Sequence, residues 1–363
     1  VNWREWAERP ASWWEAEAPY GDVVLSSRVR LARNLAGQRF PQRLDEDRLR
    51  ALREEIFQAG RFTPSLADAH AWRLEELEEA HRQLLVERHL VSRELVERAL
   101  GRGLLLSPDE SRGVMVHEED HLRVQAFGAG LRIRETFEIA KRSSDELNDH
   151  LKFARSSRLG WLSACPSNLG TGLRASVLVH LPGLRLTGDL EKVLTSLRVL
   201  HVTVRGFWGE GSPAVGAFFQ VSNSITLGLS ENQILDDLLH HLKKVISVEK
   251  EARAVLLGKR AVSLQDRVWR AWGVLRHARL LSAREALELL GEVRLGTSLG
   301  LLPALDETGL QSLLVTTQPA HLQLAVGRAL APRERDEIRA RRVREVLAGK
   351  SEDSSTRPRK DEE

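Results

Sequence analysis

Cysteine occurs once in the 363-residue chain, at Cys165, alongside one methionine and one tyrosine. A lone cysteine excludes an intramolecular disulfide and a cysteine-based zinc finger. No apolar run approaches the ~18 residues that a membrane-crossing helix needs. Residues 1–14 carry no apolar signal core, which speaks against export. No G-x-x-x-x-G-K-[ST] stretch occurs, so a Walker-type phosphate loop is absent. Lysine is scarce: nine lysines stand against 45 arginines, and the 54 basic residues nearly cancel 51 acidic ones. The net charge of +3 argues against general nucleic-acid binding unless the arginines cluster. What is present is the mix of a globular protein, 42% hydrophobic and 29% charged. The length suits about two domains at roughly 150 residues each. A cytoplasmic location is expected.

Along the chain, residues 1–21 form an aromatic-rich lead-in, with Trp3 and Trp6 at helical spacing and Trp13 and Trp14 beyond. The run from Asp22 to Asn34 begins as a strand. Residues 45–59 predict a helix capped by Asp45 and stopped by Gly60. Residues 74–100 predict a polar helical stretch, 103–133 alternate as strands, and 136–154 return to helix. Strands are expected at 175–181, 197–205 and 217–229. Ser230 with Gln233 forms a capping box for a long helix. Beyond residue 256 helices dominate: Leu264, Val268, Trp272 and Leu275 share a face, Ser282 with Glu285 caps a helix ended by Gly291, and Pro332 opens a last one. The expected fold is α+β: a largely antiparallel sheet flanked by helices over residues 22–254, then a smaller all-helical C-terminal domain over 255–349. Residues 350–363 are polar and charged and predict a disordered tail.

His117-Glu-Glu-Asp-His121 matches the H-E-x-x-H zinc-protease pattern, which requires a helix. The flanks alternate like strands. On a strand the two histidines would lie about 13 Å apart, four steps of ~3.3 Å, too far to share a tetrahedral zinc.

The same segment supplies carboxylates followed by Arg123. Other segments set arginine or carboxylate beside small residues: Ser26-Ser-Arg28-Val-Arg30, Cys165-Pro-Ser-Asn-Leu-Gly-Thr-Gly-Leu-Arg174, Arg205-Gly-Phe-Trp-Gly-Glu210-Gly-Ser212 and Arg333-Glu-Arg-Asp-Glu-Ile-Arg-Ala340. Arg28 and Arg30, two apart on a strand, share one face. If Arg28, Arg30, Arg123, Arg174 and Arg205 converge, their forks can grip a polyphosphate without a P-loop.

These segments resemble the phosphagen kinase catalytic domain, and more closely its bacterial protein-arginine kinase branch. The resemblance runs from about residue 22 to 254 and continues into Arg335-Asp-Glu-Ile-Arg339-Ala340, similar to that branch's R-D-x-x-R-A motif. It implies that Arg28, Arg30, Arg123, Arg174 and Arg205 bind ATP phosphates. It implies that Ser26, Ser27, Val29, His89, the Ala175-Ser176-Val177-Leu178 segment and the Gly206-Phe207-Trp208-Gly209 turn complete the nucleotide pocket. Glu119 and Glu210 would bind the guanidinium, with Glu119 as base. Glu118 would reach Mg²⁺ through water, and Cys165 would sit beside the guanidino group. Arg335, Asp336, Glu337, Ile338, Arg339 and Ala340 would form an allosteric phosphoarginine site. The family usually has Asn where this chain has His117. It also carries an N-terminal helical domain of roughly one hundred residues, whereas 25 residues precede Ser26 here. That difference leaves room for a protein-borne arginine.

The expected activity is ATP-dependent phosphorylation of protein arginine, marking proteins for a AAA+ protease. A heat-shock repressor, a zinc-binding activator protein and a possible homodimer are implied partners, with no membrane or direct nucleic-acid contact. A kinase of free guanidino compounds and a non-catalytic arginine-rich binding module remain the alternatives.

Overall fold

A computed structural model of the chain describes residues 1–11, 18–207, 215–303 and 307–348. Trp13, Trp14 and the 350–363 tail lie outside the described residues. In chain order the elements are α1 (Trp3–Glu8), β1 (Val24–Arg33), α2 (Glu46–Phe62), β2 (His70–Arg73), α3 (Glu79–Glu87), α4 (Arg93–Glu97), β3 (Gly103–Leu106), β4 (Arg112–Val116), β5 (Leu122–Ala129) and α5 (Ile133–Leu151). A short pair, β6 (Arg155–Ser156) and β7 (Gly160–Trp161), precedes β8 (Leu173–His180), α6 (Pro182–Thr187), α7 (Leu190–Val199), β9 (Val202–Gly206) and β10 (Phe218–Asn223). Six helices follow: α8 (Glu231–Lys259), α9 (Ala261–His277), α10 (Ala283–Ser298), α11 (Glu307–Thr316), α12 (Pro319–Val326) and α13 (Pro332–Leu347).

Eight strands form one sheet in the order β2-β3-β4-β5-β1-β8-β10-β9. Every pairing within it is antiparallel. Strand alternation gives it two unlike faces. One face is largely apolar. Val29, Leu31, Val124, Ala126, Ala175, Val177 and Val221 bury against Ile56 of α2, Phe137 of α5, Leu194 of α7 and Leu238 of α8. The opposite face is apolar only in patches. Leu25, Leu104, Phe127, Leu178 and Phe218 join one core with Leu84 of α3, Leu95 of α4 and the C-terminal helices, including Trp272 of α9, Leu290 of α10 and Val343 of α13. Polar strand residues fill the gap between these patches.

Helix starts follow their caps. Asp45 accepts from Arg48 N at 2.8 Å, and Ser230 and Gln233 form the reciprocal box. Four expectations need correction. Residues 190–199 are helical, because Leu194 and Leu197 share its buried side, and β9 starts only after His201 turns the chain at φ 56°. The strand expected over 217–229 ends at Asn223. The helix expected over 74–100 is split into α3 and α4 by His89, which adopts φ 59°. Finally, neither Gly60 nor Gly291 stops its helix. Each lies where a neighbour presses close: a Cβ on Gly60 would come within 2.6 Å of Leu105 Cδ1, and one on Gly291 within 2.5 Å of Gly216 O.

Gly291 therefore yields a discriminating prediction. Helix propensity alone would make Gly291→Ala stabilising by about 1 kcal/mol. The approach of the Gly216 backbone should instead make it destabilising by about 1–3 kcal/mol, read from urea unfolding midpoints.

Candidate active site

Register gathers the arginines. Within the antiparallel ladder, Arg30 lies opposite Gln125 on one side and Arg174 on the other, while Arg28 lies opposite Phe127 and Ser176. Arg205 pairs with Gln220, which pairs in turn with Leu178. Because alternate residues share a face, the unfilled stretch of the second face becomes a cleft of about 330 Å³. All five arginines, Arg28, Arg30, Arg123, Arg174 and Arg205, line it together with His89, Glu118, Glu119 and Cys165. A small recess opens beside it, sharing Arg28 and His89 and lined by Ser26, Ser176, Leu178 and Phe207. Gly206 ends β9 next to that recess.

The same alternation corrects part of the expected nucleotide pocket. The side chains of Ser27, Val29, Ala175 and Val177 turn to the opposite, apolar face. Ser27 Oγ donates to Gly130 O at 2.7 Å and accepts from Arg132 N at 3.0 Å, and the other three are core residues. Only their backbones can border the cleft. Trp208, Gly209 and Glu210 lie outside the described residues.

The cleft is electrostatically tense. Burial and, after it, the charge of Arg123 lower the Arg28 pKa to about 10 against the opposing pull of Glu118. Arg30 is lowered well below the usual guanidinium value, first by burial and then by Arg28, Arg123 and Arg174. Burial would likewise depress Arg123, but Glu118, Glu119 and Asp120 outweigh it and raise the pKa. Glu118 stays ionised for the converse reason: burial pushes its pKa up, while Arg123, the Ser92 hydroxyl, Arg30 and Arg28 bring it below normal. Arg123 bridges two carboxylates, pairing with Glu118 through one nitrogen and with Glu119 through the other at 2.8 Å. Arg28 is steadied by Gln125 Oε1 at 2.6 Å, and Gln125 in turn donates to Leu90 O at 2.6 Å.

Residues 117–121 form the turn between β4 and β5, closed by His117 N donating to His121 O at 3.0 Å. This overturns the strand-based separation of the two histidines, whose ring centroids are 5.6 Å apart. Their Nδ1 atoms are engaged elsewhere, with Gly101 O at 3.0 Å and Asn34 Oδ1 at 2.7 Å. Among the described residues no group of three or more His, Cys, Asp or Glu is placed to hold a metal. His117 has φ 61°, a left-handed conformation that Asn tolerates better than most residues. That accounts for the Asn usual at this position in the family that the sequence resembles.

Sequence reasoning missed the side chains that aim the cleft groups. Asp120 is almost fully buried. Its Oδ1 accepts from Asn34 Nδ2 at 2.6 Å and Ala164 N at 2.7 Å, and its Oδ2 from Ser163 Oγ at 2.8 Å. It thereby ties the acidic turn to the loop carrying Cys165, whose Sγ lies 3.1 Å from Ser167 Oγ. Asn168 of that loop reaches Glu119 Oε2 at 3.4 Å, and Gln42 Nε2 donates to Glu119 O at 2.6 Å. Strand alternation alone could have found Gln125, two residues from Arg123. The loop partners have no such signal.

The residues of the C-terminal motif sit apart from this cleft on α13. Arg339 is an internal strut, donating to Thr317 O at 2.8 Å, Leu281 O at 2.7 Å and Asp336 Oδ1 at 2.6 Å. Ala340 is buried beside it, Arg335 donates to Leu330 O at 2.9 Å, and Asp336 and Ile338 are half-buried while Glu337 is exposed.

Residues 54–252, which carry most of the sheet and Arg123, Arg174 and Arg205 of the cleft, match the ATP:guanido phosphotransferase C-terminal catalytic domain, the class to which this chain belongs. The fold is also that of solved phosphagen kinases. Lombricine kinase superposes with TM-score 0.58 at 27% identity, covering 68% of this chain and 72% of that one. The duplicated taurocyamine kinase from Schistosoma mansoni, with bound transition-state-analogue components, gives 0.59 at 28%, covering 65% and 34%. Residues 261–358 match the protein-arginine kinase McsB C-terminal domain. The chain is 42% identical over 352 residues to a protein-arginine kinase of Symbiobacterium thermophilum, covering 96% of this chain and 100% of that relative. It is 43% identical over 345 residues to one of Moorella thermoacetica, covering 94% and 99%. The chain belongs to the protein-arginine kinase family, whose members are transferases.

The histidines around the cleft predict a pH dependence. Burial, aided by Arg28, lowers His89 to about 3, and burial lowers His117 and His121 each to about 4. The unfolded chain takes up these protons near pH 6.5 and the folded one does not. Stability is therefore complete above pH 6.5 and should fall as the pH drops toward 4, by about 1.4 kcal/mol per pH unit for each ring. His117→Asn, which suits the left-handed backbone, should fold and remove one ring's share of that slope in urea titrations at pH 5 and pH 7.

Proposed function

We propose that this chain transfers the γ-phosphoryl group of ATP to arginine side chains of proteins. The convergence of five arginines, Glu118, Glu119 and Cys165 on one cleft carries the reading. A triphosphate bound there relieves the repulsion among Arg28, Arg30, Arg123 and Arg174, and Arg forks suit its oxygens. In this reading the base and ribose lie toward His89, Ser26, Ser176, Leu178, Gly206 and Phe207, at the mouth of the small recess. The substrate guanidinium has a pKa above about 12 and is a poor nucleophile until a proton leaves. Glu119, with Glu210 as second carboxylate, holds it by paired hydrogen bonds, fixes one nitrogen in line with the γ-phosphorus and accepts its proton as the N–P bond forms and the bond from the γ-phosphorus to the bridging oxygen breaks, ADP leaving with that oxygen. Before ATP arrives, Arg123 occupies Glu119. Phosphates competing for Arg123 free that carboxylate for substrate, so nucleotide prepares the base. Cys165 borders the guanidino position.

Magnesium fits this site in a limited way. Glu118 is a buried, ionised carboxylate at the cleft, and it would reach the ion through water, the remaining ligands being phosphate oxygens and water. Bound there, the ion would offset phosphate charge.

The names of the relatives support protein substrates, which this reading extends to release of the modified proteins to a AAA+ protease, with a heat-shock repressor and a zinc-binding activator as partners. Residues 22–254 carry the transfer, and 255–349 regulate it through a phosphoarginine site around Arg335, Asp336 and Arg339. The solved neighbours, named for taurocyamine and lombricine, favour a second reading, a kinase of free guanidino compounds.

One experiment separates the two. Full-length chain is incubated with ATP and either casein or free arginine, and acid-labile phosphate is measured with mass spectrometry that preserves P–N bonds. Phosphoarginine in casein is expected; label on free arginine alone would favour the second reading. Glu119→Gln should lower the transfer rate by about 10² or more while calorimetric ATP binding persists. A fully active variant would remove Glu119 from the role of base.

A further inference from the structure

Residues 87–89 join three parts of the molecule. Glu87 ends α3, and its carboxylate caps α12. Ala320 N donates to Oε1 at 2.9 Å, His321 N to Oε2 at 3.2 Å, and His321 Nδ1 meets Oε2 at 2.8 Å. The two backbone groups belong to the first turn of α12, where N–H groups lack partners within the helix and a negative charge is favoured. Arg88 is fully buried and grips Glu110 at 2.7 and 3.0 Å, and it donates to Arg9 O at 3.1 Å. His89 follows in the left-handed conformation, borders both the cleft and its recess, and meets Phe207 edge-on at 5.1 Å. On the far side, Arg339 of α13 holds Thr317 O, two residues ahead of α12.

We propose that Glu87 is a positioning residue for nucleotide binding: by clasping α12 it fixes the turn that aims His89 into the cleft, so the C-terminal helices set nucleotide affinity through one carboxylate. The inference rests on reading the cleft as a nucleotide site. Its physical basis is the cost of the turn. A residue other than glycine is strained in the left-handed conformation and persists there where its surroundings hold it. Here Glu87 holds the turn from the C-terminal helices and Arg88 from the N-terminal segment. Without the first grip the turn can relax, and His89 leaves the position from which it faces Phe207 and the recess.

Steady-state kinetics of the full chain with ATP and casein test this. Glu87→Ala should raise the KM for ATP about tenfold and leave kcat and the KM for casein within about twofold. Glu87→Gln keeps an acceptor for the α12 N–H groups and should restore most of the loss. In a His89→Ala background, Glu87→Ala should add less than about twofold, because both act on one contact. An unchanged ATP KM, a joint fall in all parameters, or full additivity with His89→Ala overturns the proposal. Should Glu87→Ala fail to fold by circular dichroism, His321→Gln, which weakens the same cap, replaces it with the same expectations. An inactive wild-type chain would instead sink the kinase reading. A normal ATP KM in His89→Ala, with casein still phosphorylated, would remove His89 from the nucleotide site and this proposal with it.

Discussion

Like charges gathered out of water are the condition on which this site rests. Arg28, Arg30, Arg123 and Arg174 repel one another at the floor of the cleft, and burial denies them solvation. At an effective dielectric of about 20, two unit charges ~6 Å apart repel by about 3 kcal/mol. The sheet cannot relax to separate them, because each arginine alternates with an apolar neighbour locked into the opposite core. Glu118, buried among them, offsets part of the charge, and Arg123 turns toward it and toward Glu119. The remaining imbalance is what a polyanion satisfies. The cationic cleft is thus built by strand register rather than by a glycine loop.

The acidic side of the cleft is built differently. Glu118 and Glu119 sit on a five-residue turn, and Cys165 on a longer loop, neither rigid by itself. Their mutual placement depends on Asp120, whose two oxygens collect donors from β1's end, the loop backbone and Ser163. The start of the loop is further pinned at Trp161, whose ring meets the guanidinium of Arg33 at 4.4 Å and that of Arg155 at 5.2 Å. Buried polar groups of this kind specify one arrangement because each would be left unpaired in any other.

Much of this was legible in the residues. Period-two alternation is visible around Val114, Val116, Leu122 and Val124, and it predicted the sheet that the structure has. The capping signals at Asp45, Ser230 and Ser282 marked helix starts. Stops were harder to read: Gly60 and Gly291 look like terminators, yet each is small because a neighbour lies against it, a tertiary fact with no local signature. Motif spacing pointed to the five arginines, and the sheet's registers bring them to one cleft. Alternation was underused, since it separates Arg28 and Arg30 from Ser27 and Val29 and leaves only the former facing the cleft. The His117–His121 pair was misjudged because a hairpin turn reverses the chain within those residues, where a strand would have carried them apart. Asp120, Asn34 and Asn168 gave no warning, being single polar residues whose partners are remote in sequence.

The helices beyond residue 260 do not form a sealed unit of their own. Trp272, Leu290 and Val343 share an oily interior with Leu25, Phe127 and Phe218 of the sheet. Severing the chain between α8 and α9 would leave two sticky halves, each with raw apolar surface facing water. Such halves invite aggregation, so the two matched segments of this protein are not interchangeable cassettes. Any lineage that swapped one would have had to re-tailor the seam between them.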